Sequence, residues 1–350
     1  MSIINSETKI ANPTIGVILI NQGTPDSAEV PDVRKYLREF LMDKRVIDIP
    51  FLTRFILVNF IIAPFRAPKS AKIYKKLWTE KGSPLKFYGL EVSDLLQKKL
   101  DYKYEVRLAM RYQSPSIDSV LKEFKNKNFE KIIIIPLFPQ YASATTGSVN
   151  EKVMDLISEW QAIPAIKFVG NFFDHPKFIK AFAEIGIKYL NELKYDHILF
   201  SYHGLPERQI LKTDNTGTCL QGDCCATLHA MNRSCYRAQC FETTRLIAKE
   251  LNLGTNDYTV SFQSRLGKNP WIKPYSDFKI VELAQKGYKK ILTFSPSFIA
   301  DCLETTIEIG DEYKELFEAN GGEHWQLVES LNVNKVWIEA LKEMVEKNDF

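Results

Sequence analysis

An α/β fold with two similar halves is predicted by three observations on the 350-residue chain. Short apolar runs alternate with stretches in which apolar residues recur at helical spacing. Most of these runs are followed by loops rich in glycine, proline and serine. Such continuous runs are typical of parallel strands that are covered by helices on both faces. The sequence therefore predicts a doubly wound fold with parallel sheets, and its length is that of about two domains.

The apolar runs are assigned to strands in chain order. Four long runs and three shorter candidates are Ile15–Ile20, Lys131–Phe138, His197–Tyr202, Lys289–Pro296, Val106–Met110, Ile166–Gly170 and Tyr258–Phe262. Helices are predicted between them, for example over Ser114–Phe129 and Pro176–Leu193, where apolar residues have helical spacing. Ligands of such sheets bind beyond the carboxyl ends of the strands, so the loops that follow the runs are where chemistry is expected.

Two similar halves are indicated by motifs that recur in the same order. INQGTP (Ile20–Pro25) is echoed by SYHGLP (Ser201–Pro206), in each case directly after an apolar run. The stretch Lys131–Thr146 is echoed by Lys290–Thr306, with a strand, a proline, an aromatic residue, an alanine and a threonine in the same sequence. We therefore expect two α/β units of similar design.

Composition and charge exclude several classes of protein. Hydrophobic residues make up 45% and charged residues 25% of the chain, which is typical of a globular protein. The 46 basic and 43 acidic residues give a formal net charge of +3 without a basic stripe, so nucleic-acid binding is not expected. The sequence contains no GxxxxGKS/T, GxSxG or HExxH motif and no GxGxxG after the first strand. Nucleotide binding, α/β-hydrolase chemistry and zinc proteolysis are therefore not predicted.

The start of the chain and one internal stretch bear on localisation. The beginning, MSIINSETKIANP, lacks the pattern of a secretory signal, so a cytoplasmic location is expected. Phe51–Phe65 comes nearest to a membrane span, but it is shorter than the ~18 uninterrupted apolar residues required. Arg54, Asn59 and Pro64 also interrupt it. Two interpretations stay open for this stretch: a buried helix, or an apolar lip that touches a membrane surface or an apolar ligand.

Two groups of polar side chains follow predicted strands. His203 ends one strand, and a neutral histidine there can accept a proton or bind a metal, unless it only caps a turn. Glu304, Glu308 and Glu312 are spaced by four residues. A helix that begins after an N-cap at Ser297 would place all three on one face. This acidic line could conduct a divalent cation, and a solvated acidic face is the alternative.

Seven motifs resemble those of ferrochelatase, the enzyme that inserts Fe²⁺ into a porphyrin in the last step of haem synthesis. They are GVILINQGTP (Gly16–Pro25), GSPLKFY (Gly82–Tyr88), RYQSPS (Arg111–Ser116), PLFPQYASATTGS (Pro136–Ser148), SYHGLPER (Ser201–Arg208), SFQSRLGKNPWIKPYSD (Ser261–Asp277) and SPSFIADCLETTIEIGDEY (Ser295–Tyr313). The resemblance covers about Ile15 to Glu329. It implies a lyase that forms protohaem from ferrous iron and protoporphyrin IX and releases two protons.

The resemblance also implies the architecture: two Rossmann-like domains with parallel sheets and a porphyrin cleft between them. The division is predicted at residues 1–175 and 176–350. The lip, Phe51–Phe65, lies in the first domain and implies peripheral contact with the inner face of the membrane. A cysteine-rich insertion, residues 209–240, lies in the second domain and is called the cysteine segment below. The last helix, about Asn334–Glu346, could pack back on the first half, and no oligomeric state is predicted.

Residue roles are carried over by the same resemblance. His203 and Glu304 match the catalytic pair, and which of them takes the pyrrole protons and which delivers iron stays open. The implied metal ligands are His203, Glu304, Glu308 and Glu312, on a helix widened to a π-helix. Residues in porphyrin-lining motifs are Arg111, Tyr112, Ser143, Trp271 and Asp301. The chain departs from the family pattern at Gln22, which leaves protoporphyrin and coproporphyrin open, and at Cys302, where many relatives have histidine.

The cysteine segment is the third departure, because simpler bacterial relatives have a shorter link here. Five of the six cysteines lie between Cys219 and Cys240. Some ferrochelatases carry a 2Fe–2S cluster, and a chain without C-terminal cysteines would have to hold it internally. The predicted ligands are Cys219, Cys224, Cys225 and Cys235, with Cys240 as a replacement for one of them. A structural zinc site and scattered free thiols are the alternatives.

An alternative function is a non-enzymatic protein on the same fold, either a porphyrin or haem carrier or an iron–sulfur redox sensor. Such a protein would bind porphyrin or haem without inserting metal. The acidic line argues against it, because a carrier needs no path for a metal ion. A cobalt-inserting relative is a further, lesser alternative.

Overall fold

The computed structural model describes residues 13–265, 267 and 269–349 of the chain. The first twelve residues, on which the prediction about a secretory signal depends, lie outside the described part. So do positions 266 and 268 of the SFQSRLGKNPWIKPYSD motif. The described residues form two four-stranded sheets with helices around them.

The first sheet has the strand order β2-β1-β3-β4, and all of its pairings are parallel. Its strands are β1 (Ile15–Gly23), β2 (Tyr104–Tyr112), β3 (Lys131–Pro136) and β4 (Ala165–Phe168). The helices of this half are α1 (Val30–Met42), α2 (Phe51–Ile56), a π-helix (Leu57–Ile62), α3 (Ala63–Leu77), α4 (Pro84–Lys99), α5 (Ile117–Lys125), a short π-helix (Ser143–Gly147) and α6 (Ser148–Ile157).

The second sheet repeats this order as β6-β5-β7-β8, again with parallel pairings throughout. Its strands are β5 (His197–His203), β6 (Tyr258–Gln263), β7 (Lys290–Phe294) and β8 (His324–Leu327). The helices are α7 (Pro176–Glu192), α8 (Glu207–Thr213), α9 (Tyr236–Glu250), α10 (Ser276–Gln285), the acidic π-helix (Glu304–Glu312), α11 (Tyr313–Ala319) and α12 (Lys335–Lys347).

The predicted fold class is confirmed, and a strand is found at each of the seven predicted runs. The equal strand order of the two sheets agrees with the repeated motifs. The strand that sequence reasoning missed is β8, which is short and lies at the edge of its sheet. Four residues at an edge carry too little apolar pattern to be recognised.

The predicted start of the acidic helix is wrong. Helical structure begins near Leu303 rather than after Ser297, and the side chain of Ser297 contacts Tyr236 instead of capping a helix. The intervening loop is held by Asn332, whose side chain accepts from the Asp301 amide and whose own amide donates to the Ile299 carbonyl. Backbone groups that bond to Asn332 are not available for a helical turn.

A continuous core runs through both halves. Strand residues such as Leu19 and Phe200 are fully buried in the same cluster as Phe178 of α7 and Trp337 of α12. Helix α12 packs on α7 and also on α4 of the first half, and Trp337 lies 5.5 Å from the Phe172 ring. The division of the chain at residues 175 and 176 stays a prediction, because this core belongs to both sides of it.

The lip forms the beginning of one long helix, Phe51–Leu77, in which α2, a π-helix and α3 follow one another. By length and composition alone this helix could cross a membrane, since it has 27 residues and contains an 18-residue window with a mean hydropathy of 1.3. It is not a buried helix, because Phe51, Phe60 and Phe65 are 64%, 64% and 75% exposed. Its start is fixed by the buried Arg54, which donates to the carbonyls of Ile47 and Ile49.

Candidate active site

The carboxyl end of β5 positions His203. In the sheet this residue pairs with Gln263 of β6, and its Nδ1 lies 2.7 Å from the Gly204 carbonyl. Donation from Nδ1 to that carbonyl leaves Nε2 with the lone pair that can accept a proton or bind a metal. Gly204 has to be glycine here, because a Cβ would lie 2.7 Å from the Gln263 carbonyl and 3.2 Å from the Trp271 ring.

Gln263 connects β5 and β6 to the acidic π-helix. Its side-chain oxygen accepts from Ser201, and its amide nitrogen lies 3.4 Å from the Glu304 carbonyl and 3.3 Å from the Glu308 carboxylate. Gln263 is almost completely buried, so these bonds replace its contacts with water. His203 and the acidic line are therefore held relative to one another by one buried amide.

The three glutamates of the acidic line have different surroundings on one π-helix, a geometry frequent at functional sites. The Glu308 carboxylate accepts from the amide and hydroxyl of Ser264 and from the Tyr313 hydroxyl. At Glu312, burial first and the nearby charge of Glu308 second raise the pKa of the carboxyl. The line thus runs from a carboxylate fixed by hydrogen bonds to one that binds protons more readily.

Glu304, the first carboxylate of the acidic line, lies beside two buried tyrosines of the first half. Its charge lies close enough to Tyr36 of α1 and Tyr74 of α3 to raise the pKa of both hydroxyls further, after burial as the main cause. The Cys302 thiol hydrogen-bonds with Glu304, and burial raises the pKa of this thiol. These contacts bring helices of the first half directly against the first carboxylate of the line.

Asp43, which sequence reasoning missed, organises the opposite edge of the site. Its buried carboxylate binds Arg111 at 2.6 Å and the Tyr112 hydroxyl at 2.8 Å, and it also accepts from Ser148. Burial alone would raise the pKa of Asp43, but the Ser148 hydrogen bond, the Arg45 amide and the Arg111 cation together lower it. The carboxylate is therefore ionised, and it holds the ends of β2 and α6 together.

The predicted porphyrin-lining residues lie in three separate places. One loop holds Arg111, Tyr112 and Ser143. In this loop Asp43 binds the first two, and Arg45, two residues later, donates to Ser143 at 2.8 Å. Trp271 lies on the other side, where its backbone bridges to Pro206 beside the His203 loop. Asp301 is separate from both groups, because its carboxylate accepts from Ser330 and Asn332 in the loop after β8.

The cysteine segment consists mainly of turns between α8 and α9. Its first part is organised by Asp214, whose carboxylate accepts from the amides of Thr216, Gly217 and Cys219. Its second part is organised by the buried Asn232, whose side chain donates to the carbonyls of Cys224 and Thr227 and accepts from the His229 amide. These bonds fix the backbone that presents the cysteines.

The predicted ligand cysteines converge. The sulfur atoms of Cys224 and Cys225 lie 3.7 Å apart, and the Cys235 thiol lies close enough to those of Cys219 and Cys225 to affect the pKa of both. Burial raises the pKa of the Cys219 and Cys224 thiols. Cys240 points elsewhere, since its thiol hydrogen-bonds with the Tyr236 hydroxyl.

Neither predicted metal region forms a finished site for a single ion. Among the residues that the structure describes, no three His, Cys, Asp or Glu side chains are arranged to hold one metal ion together. The acidic line is therefore spread along its helix, and the measured close contact among the thiols is the one between Cys224 and Cys225. A spread of carboxylates suits an ion in transit better than a resident one.

The residues that sequence reasoning missed act through contacts between distant parts of the chain. Asp43, Gln263 and Ser264 carry no recognisable spacing, and only their position in or beside motifs could have drawn attention to them. Asp43 lies outside the seven motifs altogether. Long-range hydrogen bonds of this kind are invisible to periodicity.

The fold and the site together define a metal-handling α/β enzyme of the chelatase class. The family model described as ferrochelatase matches residues 14–349. A ferrochelatase of Legionella pneumophila (strain Lens) is 48% identical over 94% of this chain and 98% of its own. One of Coxiella burnetii (strain CbuK_Q154) is 44% identical over 96% of this chain and 94% of its own.

The chain belongs to the ferrochelatase family. It is a lyase that inserts ferrous iron into porphyrin in haem synthesis, as the sequence motifs implied. Among solved structures, SirB from Bacillus subtilis with Fe³⁺ superposes with a TM-score of 0.51 at 10% identity over 96% of this chain and 95% of its own. That likeness concerns the fold alone.

Proposed function

We propose that iron insertion takes place between His203 and Glu304, with protoporphyrin IX as the porphyrin and protohaem as the product. The observation that carries this proposal is the buried Gln263, which pairs with His203 in the sheet and bonds to the helix of Glu304. It supports a fixed geometry for a proton acceptor and a carboxylate on two different elements. Fixed geometry of this kind lowers the barrier of a reaction between bound partners.

In this proposal the porphyrin gives up two N–H protons as Fe²⁺ forms bonds to the four pyrrole nitrogens. Nε2 of His203 accepts one of the two protons, because Nδ1 is engaged with the Gly204 carbonyl, and the other proton leaves to solvent. Glu304 delivers the metal, and Glu308 and Glu312 lead to it from solvent. Carboxylates bind Fe²⁺ through oxygen, which releases the ion more easily than thiolate sulfur would.

The porphyrin is proposed to lie against Arg111, Tyr112, Ser143, Trp271 and Asp301. The contacts of these residues refine the proposal. The Tyr112 ring and hydroxyl are both buried, with the hydroxyl on Asp43, so Tyr112 would act by holding Arg111 in place rather than by direct contact with the macrocycle. Arg111 stacks 4.6 Å above that ring and is bound by Asp43, so the pair forms one rigid surface.

The experiment for this proposal is an anaerobic assay with Fe²⁺ and protoporphyrin. We expect His203→Ala to lower kcat by about 10²-fold or more, the usual contribution of an acid–base group. His324→Ala is the matched control, because His324 lies at the opposite end of the same sheet. Normal turnover of His203→Ala would contradict the assignment. A protein that binds porphyrin but never forms haem would favour the carrier alternative.

We further propose that Cys219, Cys224, Cys225 and Cys235 hold a 2Fe–2S cluster. Two ligands of one tetrahedral metal with bonds of about 2.3 Å are about 3.8 Å apart, and Cys224 and Cys225 are at 3.7 Å. A two-iron cluster needs two thiolates on each iron, so pairs of cysteines fit it better than they fit a single zinc ion. In the absence of metal, the hydrogen bond with Cys235 and burial raise the pKa of the Cys225 thiol, and the nearby Arg237 cation opposes this rise only in part. When bound, the cluster would supply a one-electron redox centre.

The contacts of Cys240 support its exclusion from this ligand set. Cys240 is fully buried in α9, and its thiol is engaged with Tyr236. Cys235, by contrast, contacts two other thiols of the set.

A cytoplasmic location with peripheral membrane contact is proposed from the lip. Phe51, Phe60 and Phe65 expose most of their rings on one continuous helix. Exposed apolar patches of this kind mark interaction sites. Sedimentation with lipid vesicles checks the proposal: Phe60→Ser combined with Phe65→Ser is expected to weaken binding, and equal binding of the variant would contradict it.

A further inference from the structure

Tyr236 lies where the cysteine segment meets the carboxyl end of β5. It is the first residue of α9 and directly follows Cys235, the N-cap of that helix. Its side chain is only 6% exposed. The hydroxyl lies 2.8 Å from the His203 carbonyl and 3.2 Å from the Ser297 hydroxyl. A single hydroxyl thus joins the strand end that carries His203 to the loop that follows β7.

The direction of these hydrogen bonds follows from the number of protons. A tyrosine hydroxyl has one proton, and the His203 carbonyl can only accept, so Tyr236 donates to it. Ser297 therefore donates to the Tyr236 oxygen. Burial raises the pKa of Tyr236 well above its ordinary value, so the hydroxyl keeps the proton that this arrangement needs.

The hydrogen bond from Tyr236 bears on the orientation of the His203 ring. The ring is held at Nδ1 by the Gly204 carbonyl, which belongs to the next peptide of the same chain. The Tyr236 bond holds the carbonyl of the peptide that joins His203 to Gly204. The Tyr236 bond limits the rotation of that peptide. Such a rotation would move the Gly204 carbonyl and, because the imidazole is bonded to it, the His203 ring as well.

The backbone before Tyr236 is held by the cysteine segment. The Cys235 thiol contacts Cys219 and Cys225, and the Cys235 amide donates to the Asn232 carbonyl. Because Cys235 and Tyr236 are consecutive, a shift of the thiols moves the tyrosine hydroxyl as well. The contact between Cys240 and the same hydroxyl adds a second link from this region.

We propose that Tyr236 is a positioning residue for iron insertion, which sets the orientation of His203 and links it to the arrangement of the thiols in the cysteine segment. This inference rests on the proposed role of His203. It gives the cysteine segment a direct structural effect on the reaction, through two consecutive residues and one hydrogen bond.

The test is Tyr236→Phe, which removes the hydroxyl and keeps the ring. We expect kcat to fall about five- to tenfold, as for the loss of one hydrogen bond, and KM for Fe²⁺ to rise, while porphyrin affinity measured by fluorescence titration stays unchanged. The matched control is Tyr202→Phe, since Tyr202 is also buried and bonds through its hydroxyl to Thr244 in the same sheet region. The control is expected to keep wild-type kcat and KM for Fe²⁺.

A second variant tests the link to the thiols. Cys235→Ser is also expected to lower kcat. In the double variant Cys235→Ser/Tyr236→Phe, the fold-reduction of kcat is expected to be smaller than the product of the two single fold-reductions. If the single effects multiply, the link to the cysteine segment is overturned. Ser297→Ala, which removes the donor to Tyr236, is the substitute if Tyr236→Phe does not fold, and its expected loss of kcat is about two- to threefold.

The outcomes separate this inference from the proposed function. If His203→Ala is inactive but Tyr236→Phe behaves as the wild type, the positioning role is wrong and the site assignment stands. If His203→Ala is active, the site assignment itself fails. If Tyr236→Phe and Tyr202→Phe lower thermal stability and kcat equally, Tyr236 is only structural and the inference is overturned.

Discussion

The acidic π-helix and the cysteine segment both gather side chains that bind metals, but they are held in different ways. The carboxylate of Glu308 is fixed by Ser264, more than forty positions away in the chain, and by Gln263 of the adjacent strand. The cysteine segment is fixed mainly by its own Asp214 and Asn232, each within eight residues of its partners. One region is held by residues in and just after β6, and the other is held mainly by bonds within the segment, with further bonds to its surroundings such as the one from Arg245 to the Cys225 carbonyl.

This difference corresponds to what each region has to do with a metal. A substrate ion must enter and leave, which suits oxygen ligands on a framework that the ion does not help to build. A resident cluster stays, which suits buried thiols on a locally organised loop. The comparison therefore separates the proposed path for iron from the proposed site of a resident cluster.

The largest expected effects are those of two variants, one of which should lose activity and the other its absorption and bound iron. Glu304→Gln should lower kcat by about 10²-fold or more and leave visible absorption and bound iron unchanged, because it removes a carboxylate from the reaction only. Cys225→Ser should remove the absorption and bound iron of the purified protein, because it breaks one of the close thiol pairs. Absorption spectra, elemental analysis and an anaerobic assay measure both properties.

Two matched controls sharpen this comparison. Glu315→Gln changes an exposed carboxylate of α11, and Cys302→Ser changes the cysteine outside the cysteine segment. Both are expected to keep their absorption, and Glu315→Gln to keep full activity as well. A colourless wild-type protein that contains zinc would contradict the cluster, and full activity of Glu304→Gln would contradict its role.

An intermediate effect is expected for Asn232→Ala. The substitution leaves two carbonyls and one amide without their partner at a buried position, which costs about 1–3 kcal/mol. Because the segment organises itself, the loss should appear as local opening, seen as faster hydrogen exchange and faster alkylation of the thiols. Asn320→Ala, which removes a single bond to the Leu316 carbonyl, is the control. Unchanged exchange in the segment would show that it is not held locally.

The smallest expected effect concerns Asp48, which lies just before the lip and bonds to Arg208 and Lys212 of α8. These bonds join the chain before the lip to the start of the cysteine segment. The hydrogen bond from Arg208 lowers the pKa of Asp48 to about 2. Its stabilisation is complete above the ordinary pKa and is lost as pH falls through about 2. Asp48→Asn should therefore lower the urea midpoint at pH 7 and lose most of this difference as pH approaches 2.

Asp26→Asn is the control for Asp48, since Asp26 forms two longer surface pairs of 3.6 Å. Exposed pairs of this kind contribute little. Equal urea midpoints for the wild type and Asp48→Asn at pH 7 would show that the bonds to α8 stabilise nothing.

The positions of His203 and the acidic line could be predicted from sequence because both follow strongly apolar strands. The strand pattern placed His203 at a strand end, and the spacing of the glutamates suggested a single helix. The start of that helix could not be predicted, since Asn332 determines it from a loop thirty residues later. Asp43 and Tyr236 were equally inaccessible, because their partners lie on other elements.

The resemblance to a family supplied what periodicity could not. It identified a π-helix, where spacing alone suggests an ordinary helix, and the structure contains that π-helix at Glu304–Glu312. It did not predict that Arg111 and Tyr112 would both be bound by one buried carboxylate. That arrangement depends on how α1 ends, and the end of α1 carries no motif.

The continuous core between the two halves has a consequence for how this molecule can change. Trp337 of the second half packs on Phe172 of the first, and α12 also packs on α4, so each half covers apolar surface of the other. We expect the chain to unfold in one cooperative step. A gene that is split between residues 175 and 176 should yield two fragments that aggregate and are inactive. The two sheets have the same strand order, as copies of one ancestor would. Because they now share one core, neither half can be exchanged, duplicated or lost without the other.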